Sequence, residues 1–109
     1  MNNPTLDTSK VVFCDLDDTL CKGPYDDASP ITKNIDRLNV FKRDGWTVVI
    51  WTGRGMITYG GNIQRIEEAY RERTEKWLRR NGVLYNELRF GKPVFALLVD
   101  DKSENWSER

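Results

Sequence analysis

The stretch KVVFCDLDDTL, residues 10–20, places two different kinds of sequence side by side. Val11, Val12 and Phe13 form a short continuous apolar run, which suits a central parallel strand covered on both faces. Asp15, Asp17 and Asp18 follow at once, three carboxylates within four positions. Like charges a few ångströms apart raise one another's pKa unless a cation or a set of hydrogen bonds compensates. A merely structural segment has little reason to bear that cost, so the compensating groups have to come from the rest of the chain.

Working outward, Ser29 reads as an N-cap with Pro30 at the first helical position, and Ile31, Ile35, Leu38 and Phe41 recur at intervals of four, three and three. Gly45 closes that helix. WTVVIWT, residues 46–52, is rich in β-branched and aromatic residues and reads as a second strand, ending in a loop with Gly53, Gly55, Gly60 and Gly61. A long helix is expected from Asn62 to Asn81, with Ile63, Ile66, Tyr70, Trp77 and Leu78 on its apolar face and Gly82 as its stop. On its other face Arg65, Arg71, Arg73, Lys76, Arg79 and Arg80 alternate with Glu67, Glu68, Glu72 and Glu75, the pattern of a solvated, paired surface. A short third strand is expected at residues 87–90, and VFALLV, residues 94–99, reads as a fourth, strongly buried one. Trp46, Trp51 and Trp77 are expected in or beside the core, and Trp106, in a short polar tail, outside it. Strands alternating with helices argue for an α/β fold with a small, mostly parallel sheet and ligand chemistry at the carboxyl ends of its strands.

Composition bounds the function. The chain has 109 residues, read as one domain over 1–109. Lysine plus arginine equals aspartate plus glutamate at 17 each, so no overall field advertises a nucleic-acid or membrane partner. No segment approaches the ~20 apolar residues of a transmembrane helix, and MNNPTLDTSK lacks a signal-peptide core; a cytoplasmic location is the expectation. Cys14 and Cys21 flank the acids and read as reduced thiols. Histidine is absent, which removes the commonest general base and zinc ligand.

The polar residues fall at strand ends. Asp15 and Asp17 leave the first strand, Thr52 ends the second, and Asp100 and Asp101 end the fourth. Lys92 stands just before that fourth strand in a Lys-Pro step, which keeps the backbone there from continuing as helix. Acids from two strand ends with one lysine suit a hard cation such as Mg²⁺, which prefers oxygen ligands.

With these residues in place the chain resembles the haloacid dehalogenase-like phosphohydrolases. DLDDTL is similar to their D-x-D-x-T motif, Thr52 in VVIWTGR to the second motif, Lys92 to the third, and Asp100 with Asp101 in LLVDDKS to the acidic fourth. The resemblance implies a Rossmann-like three-layer sandwich and a Mg²⁺-dependent phosphatase. Asp15 would be the nucleophile that forms an aspartyl-phosphate, and Asp17 the acid and base for leaving oxygen and water. Mg²⁺ would sit on the Asp15 side chain, the Asp17 backbone carbonyl and Asp100, with Asp101 as the neighbouring candidate. Thr52, Gly53 and Lys92 would grip phosphoryl oxygens, and Thr19 would orient the loop. Arg54 is assigned either to the substrate's leaving group or to a pair with a glutamate.

Spacing leaves no room for a cap domain between Asp17 and Thr52 or between Thr52 and Lys92, so an open site and an exposed sheet flank are expected, remedied by a homo-oligomer. GPYDDASP, GRGMITYGG and GKPVFALLVDDKS are similar to small capless phosphatases around capsule polysaccharide biosynthesis, implying a small sugar- or nucleotide-type phosphate. GPYD and the pattern of Arg73, Thr74, Lys76 and Trp77 also resemble the phosphatase domain of phage-type polynucleotide kinases, which implies a nucleic-acid 3'-phosphate end as the alternative. A phosphorylatable receiver-like switch uses a comparable set of groups, but it places its phosphorylated Asp on a later strand and needs no counterpart of Asp17.

Overall fold

The computed structural model describes residues 10–94 and 101–106. Its order is β1 (Val11–Cys14), β2 (Cys21–Lys22), β3 (Ser29–Pro30), α1 (Thr32–Arg43), β4 (Thr47–Thr52), α2 (Ile63–Arg80) and β5 (Glu87–Phe90). β4 lies between β1 and β5 and is parallel to both, with Phe13 opposite Val49 and Thr52 opposite Phe90. The central position explains its run of Val48, Val49 and Ile50, all buried.

Both helices pack on one face of this sheet. Ile35 and Leu38 of α1 and Ile66, Trp77 and Leu78 of α2 share a core with Cys14, Val48, Ile50, Leu88 and Phe90. The strand order explains this: two β-α-β crossovers of the same hand that step in the same direction leave their helices on the same side. A third layer requires the order to reverse, and none is formed by the described residues. The opposite face carries Phe13, 51% exposed, edge-to-face with Trp51 at 5.8 Å. The expected fourth strand lies almost wholly outside the described residues; Val94 is exposed and pairs with none of the described strands.

The start of α1 corrects the sequence reading. Ser29 and Pro30 are not its cap and first turn; they pair antiparallel with Lys22 and Cys21. Ile31 is the residue that caps the helix, without a side-chain hydrogen bond because isoleucine has no acceptor; its N–H donates to the Leu20 carbonyl at 2.8 Å and fixes the chain there. The end signals of α2 hold: the Asn62 side chain accepts the Arg65 N–H at 3.2 Å and Asn81 stands at the C-cap. Trp106 is also corrected, since it packs against the core, stacked on Phe41 at 6.3 Å. No described helix is long and apolar enough to cross a membrane.

Candidate active site

The carboxyl ends of all three parallel strands converge. Asp15 and Asp17 follow β1, Gly53 and Arg54 follow β4, and Lys92 stands two residues past β5. The Lys92 N–H donates to the Thr52 carbonyl at 3.2 Å, extending the β4–β5 pairing one step beyond the strands. Gly53 permits that approach: a Cβ there would lie 3.1 Å from the Lys92 carbonyl oxygen. These residues, with Asp18, Tyr25, Pro93 and Val94, line a cleft of about 300 Å³.

Each of the two inward acids has its own cation, which answers the crowding at residues 15–18. Asp15 Oδ1 accepts the Leu16 N–H at 2.8 Å, and its Oδ2 lies 3.3 Å from Lys92 Nζ. Asp17 is gripped bidentately by Arg54, with Nε to Oδ2 and Nη2 to Oδ1 both at 3.0 Å. Asp18 lines the cleft without a cation of its own in any ion pair among the described residues. It is exposed, holds a left-handed φ of 65°, and donates its N–H to the Cys21 carbonyl at 2.8 Å to close the turn.

Arg54 reaches Asp17 from inside the protein. Its side chain is 1% exposed against 35% for Asp17, and it also donates to Thr74 Oγ1 at 3.2 Å. Its guanidinium carbon lies 4.2 Å from the centre of the Tyr25 ring. The expected glutamate partner of Arg54 is thus replaced by an aspartate. Tyr25, Cys21 and Thr74, which complete its pocket, are residues that sequence reasoning missed as site members. The contact spans 37 positions, so no local spacing encodes it, although an arginine just past a strand end beside unpaired acids is the available signal.

Thr52 is fully buried, and its hydroxyl oxygen accepts the Arg54 N–H at 3.1 Å, which leaves the hydroxyl hydrogen to donate. Thr19 sits in the turn after β1, donating its N–H to Leu16 at 3.2 Å, and does not line the cleft. Asp101 is exposed and away from the cleft lining; Asp100 lies outside the described residues. Among the described residues no group of three carboxylates, thiols or imidazoles converges on one point. The donor types at the cleft nonetheless fit a hard cation: carboxylate and carbonyl oxygens, with no imidazole.

Both cysteines are free thiols. Burial pushes Cys14 up to about 12, with the Asp15 charge adding to it and Lys92 opposing. Burial does the same to Cys21, also to about 12, reinforced by Asp17 and opposed by Arg54. Neither is a thiolate nucleophile near neutral pH. The Tyr25 hydroxyl is likewise raised, first by burial and then by Asp17 and Tyr70.

A structural-genomics target from Vibrio cholerae, known from its crystal structure, is 31% identical to the chain and superposes with a TM-score of 0.83, over 87% of this chain and 82% of its own. The chain belongs to the same family as that protein. Two further likenesses come from structures of the Pnkp1/Rnl/Hen1 RNA repair complex. One is 31% identical, with a TM-score of 0.56 over 77% of this chain; the other is 27% identical, with 0.58 over 91%. The chain spans only 27% and 32% of those longer chains. No protein-family model and no curated protein matches it.

The α2 arginines are mostly committed within the chain. Arg71 pairs with Glu67 and Glu75 and donates to the Leu88 carbonyl at 2.7 Å, while Arg73 grips Asp26 at 3.1 Å. Thr74 and Trp77 are buried, the Trp77 indole donating to the Ala28 carbonyl at 3.0 Å. That bond and the Arg73–Asp26 pair fix the loop that presents Tyr25 to the cleft.

Proposed function

We propose that the chain is a haloacid dehalogenase-like phosphomonoester phosphatase, acting as one capless domain over residues 1–109 through an aspartyl-phosphate on Asp15. The observation that carries this reading is the state of Asp15: one carboxylate oxygen is fixed by the Leu16 N–H and the other faces Lys92 at 3.3 Å across an open cleft. An Asp15 oxygen would attack phosphorus as the bond to the leaving oxygen breaks, and Asp17 would give that oxygen a proton. Asp17 would then take a proton from the water that attacks the acyl-phosphate, restoring Asp15 and releasing inorganic phosphate. Arg54 orients Asp17 as the carboxylate that accepts the water's proton, and the earlier acid step requires one Asp17 oxygen to leave that fork and carry a proton. Lys92, the Gly53 N–H and the Thr52 hydroxyl are the groups proposed to stabilise charge on the transferring phosphoryl oxygens. Mg²⁺ held by Asp15, the Asp17 carbonyl and Asp100 would neutralise charge between nucleophile and phosphate.

The small, uncapped cleft suits a sugar- or nucleotide-type monoester. The likeness to chains of an RNA repair complex favours a second reading, a 3'-phosphate at a polynucleotide end. The test is aryl phosphate hydrolysis with Mg²⁺ and with EDTA, alongside Asp15→Asn and Asp17→Asn. Metal-dependent release lost in Asp15→Asn is the expected result, and full activity in that variant would sink the assignment. Sugar phosphates against 3'-phosphorylated oligonucleotides then separate the two substrate classes.

A further inference from the structure

Asn34 sits in the first turn of α1, 1% exposed, and both hydrogens of its amide are used. Nδ2 donates to the Thr19 carbonyl at 2.8 Å and to the Trp106 carbonyl at 2.9 Å. The reversed amide would set an oxygen against two carbonyl oxygens, so these contacts fix its orientation. Its own Oδ1 is buried and has no hydrogen-bond partner among the described residues. A buried acceptor without a partner is costly. A side chain serving only the stability of α1 has no reason to carry that penalty.

The Thr19 carbonyl belongs to the turn that follows Asp15 and Asp17, and the Trp106 carbonyl to residues 101–106, which include the candidate acid Asp101. Thr19 lies two positions past Asp17, in the turn where the Leu20 N–H donates to the Leu16 carbonyl at 2.8 Å. Trp106 lies five positions past Asp101, and α1 provides its seat. Phe41 stacks on its ring at 6.3 Å, the Arg37 guanidinium covers it at 4.0 Å, and Arg37 also pairs with Glu104 at 3.6 Å. We infer that Asn34 is a positioning residue that couples the catalytic turn to the segment 101–106, so that Trp106 on its α1 seat holds the turn behind Asp15 and Asp17 in place. Its consequence for turnover rests on the phosphatase reading; the coupling itself does not.

The experiment compares amide hydrogen exchange in the full chain, Asn34→Ala, Trp106→Ala and a chain ending at Asn105. Exchange of amides in residues 16–21 should rise about fivefold in Asn34→Ala and in the shortened chain, the loss expected for one hydrogen bond. The interior of α2 should keep its rates. Combining Asn34→Ala with the shortened end should add little, because one bridge is being cut twice. With an aryl phosphate, kcat should fall while KM holds, since Gly53 and Lys92 follow β4 and β5, which the bridge does not touch. Unchanged exchange at 16–21 in both the shortened chain and Trp106→Ala would overturn the coupling. Loosening of that turn in a protein whose parent hydrolyses no phosphomonoester would support the coupling and overturn the phosphatase reading instead.

Discussion

Replacing Arg54 by alanine should be among the most costly single changes in the molecule. The guanidinium is 1% exposed and leaves three kinds of partner behind: the Asp17 carboxylate, the Thr74 hydroxyl and the Tyr25 ring. Breaking a fully buried ion pair from one side costs about 3–5 kcal/mol. Asp17 is 35% exposed, so water can take over part of what the arginine supplied, which brings the expected loss to roughly 2–3 kcal/mol. Against a total of about 5–15 kcal/mol for a domain, that is a large fraction, equivalent to a fall in Tm of about 10–20 °C. Arg54→Lys keeps the charge but not the bidentate fork, and should recover only part of the loss. The control is Arg73→Ala, whose pair with Asp26 is about half exposed on both sides, 50% and 54%, and should cost under about 0.5 kcal/mol. Urea unfolding of the three variants measures the differences directly. Equal, small losses for Arg54→Ala and Arg73→Ala would refute the claim that a buried cation anchors Asp17.

Lys92→Ala should lower kcat/KM for an aryl phosphate by about 10²-fold, the scale of one lost charge-stabilising donor, and unchanged turnover would return Lys92 to a structural pair with Asp15. Cys14 and Cys21 should resist iodoacetamide at pH 8 in the native protein and react in urea, because burial raises both to about 12. The sign for stability follows: unfolded thiols ionise above 9.0 and native ones do not until about 12, so their contribution is intact below pH 9 and is lost as pH rises through that window. Gly55→Ala should destabilise more than Gly60→Ala. Both have positive φ, 77° and 57°, but only at Gly55 does a Cβ meet an obstacle, Tyr70 Cε2 at 2.7 Å, adding about 1–3 kcal/mol of overpacking. Equal melting temperatures for the two would show that the Tyr70 contact gives way freely.

The β-α-β-α-β order, the parallel sheet and the placing of Asp15, Asp17 and Thr52 at strand ends were legible from residue patterns, because period and end signals are local. The Asn62 cap and the β-branched run of β4 act within a few residues of themselves. Where distant backbone competed, local signals failed: Ser29-Pro30 looks like a helix start, yet Cys21 and Lys22 offer strand pairing and Leu20 takes the Ile31 N–H. Trp106 was misjudged for the same reason, since nothing in a polar tail announces Phe41, Arg37 and Asn34 waiting on another element.

The sequence by itself determined that three carboxylates follow an apolar strand, and hence that cations had to meet them; that this strand is a half-exposed edge of the described sheet, not a central one covered on both faces, came from the tertiary structure. That Lys92 offsets the charge of Asp15 is already implied by the family resemblance, and the two lie 3.3 Å apart. That Arg54 meets Asp17 was decided only by the tertiary structure, in which the order β1-β4-β5 sets the end of β4 beside that of β1. Burial settles the rest: an arginine enclosed among Tyr25, Cys21 and Thr74 has its partner chosen by the packing around it, and packing is a property of no single stretch of chain.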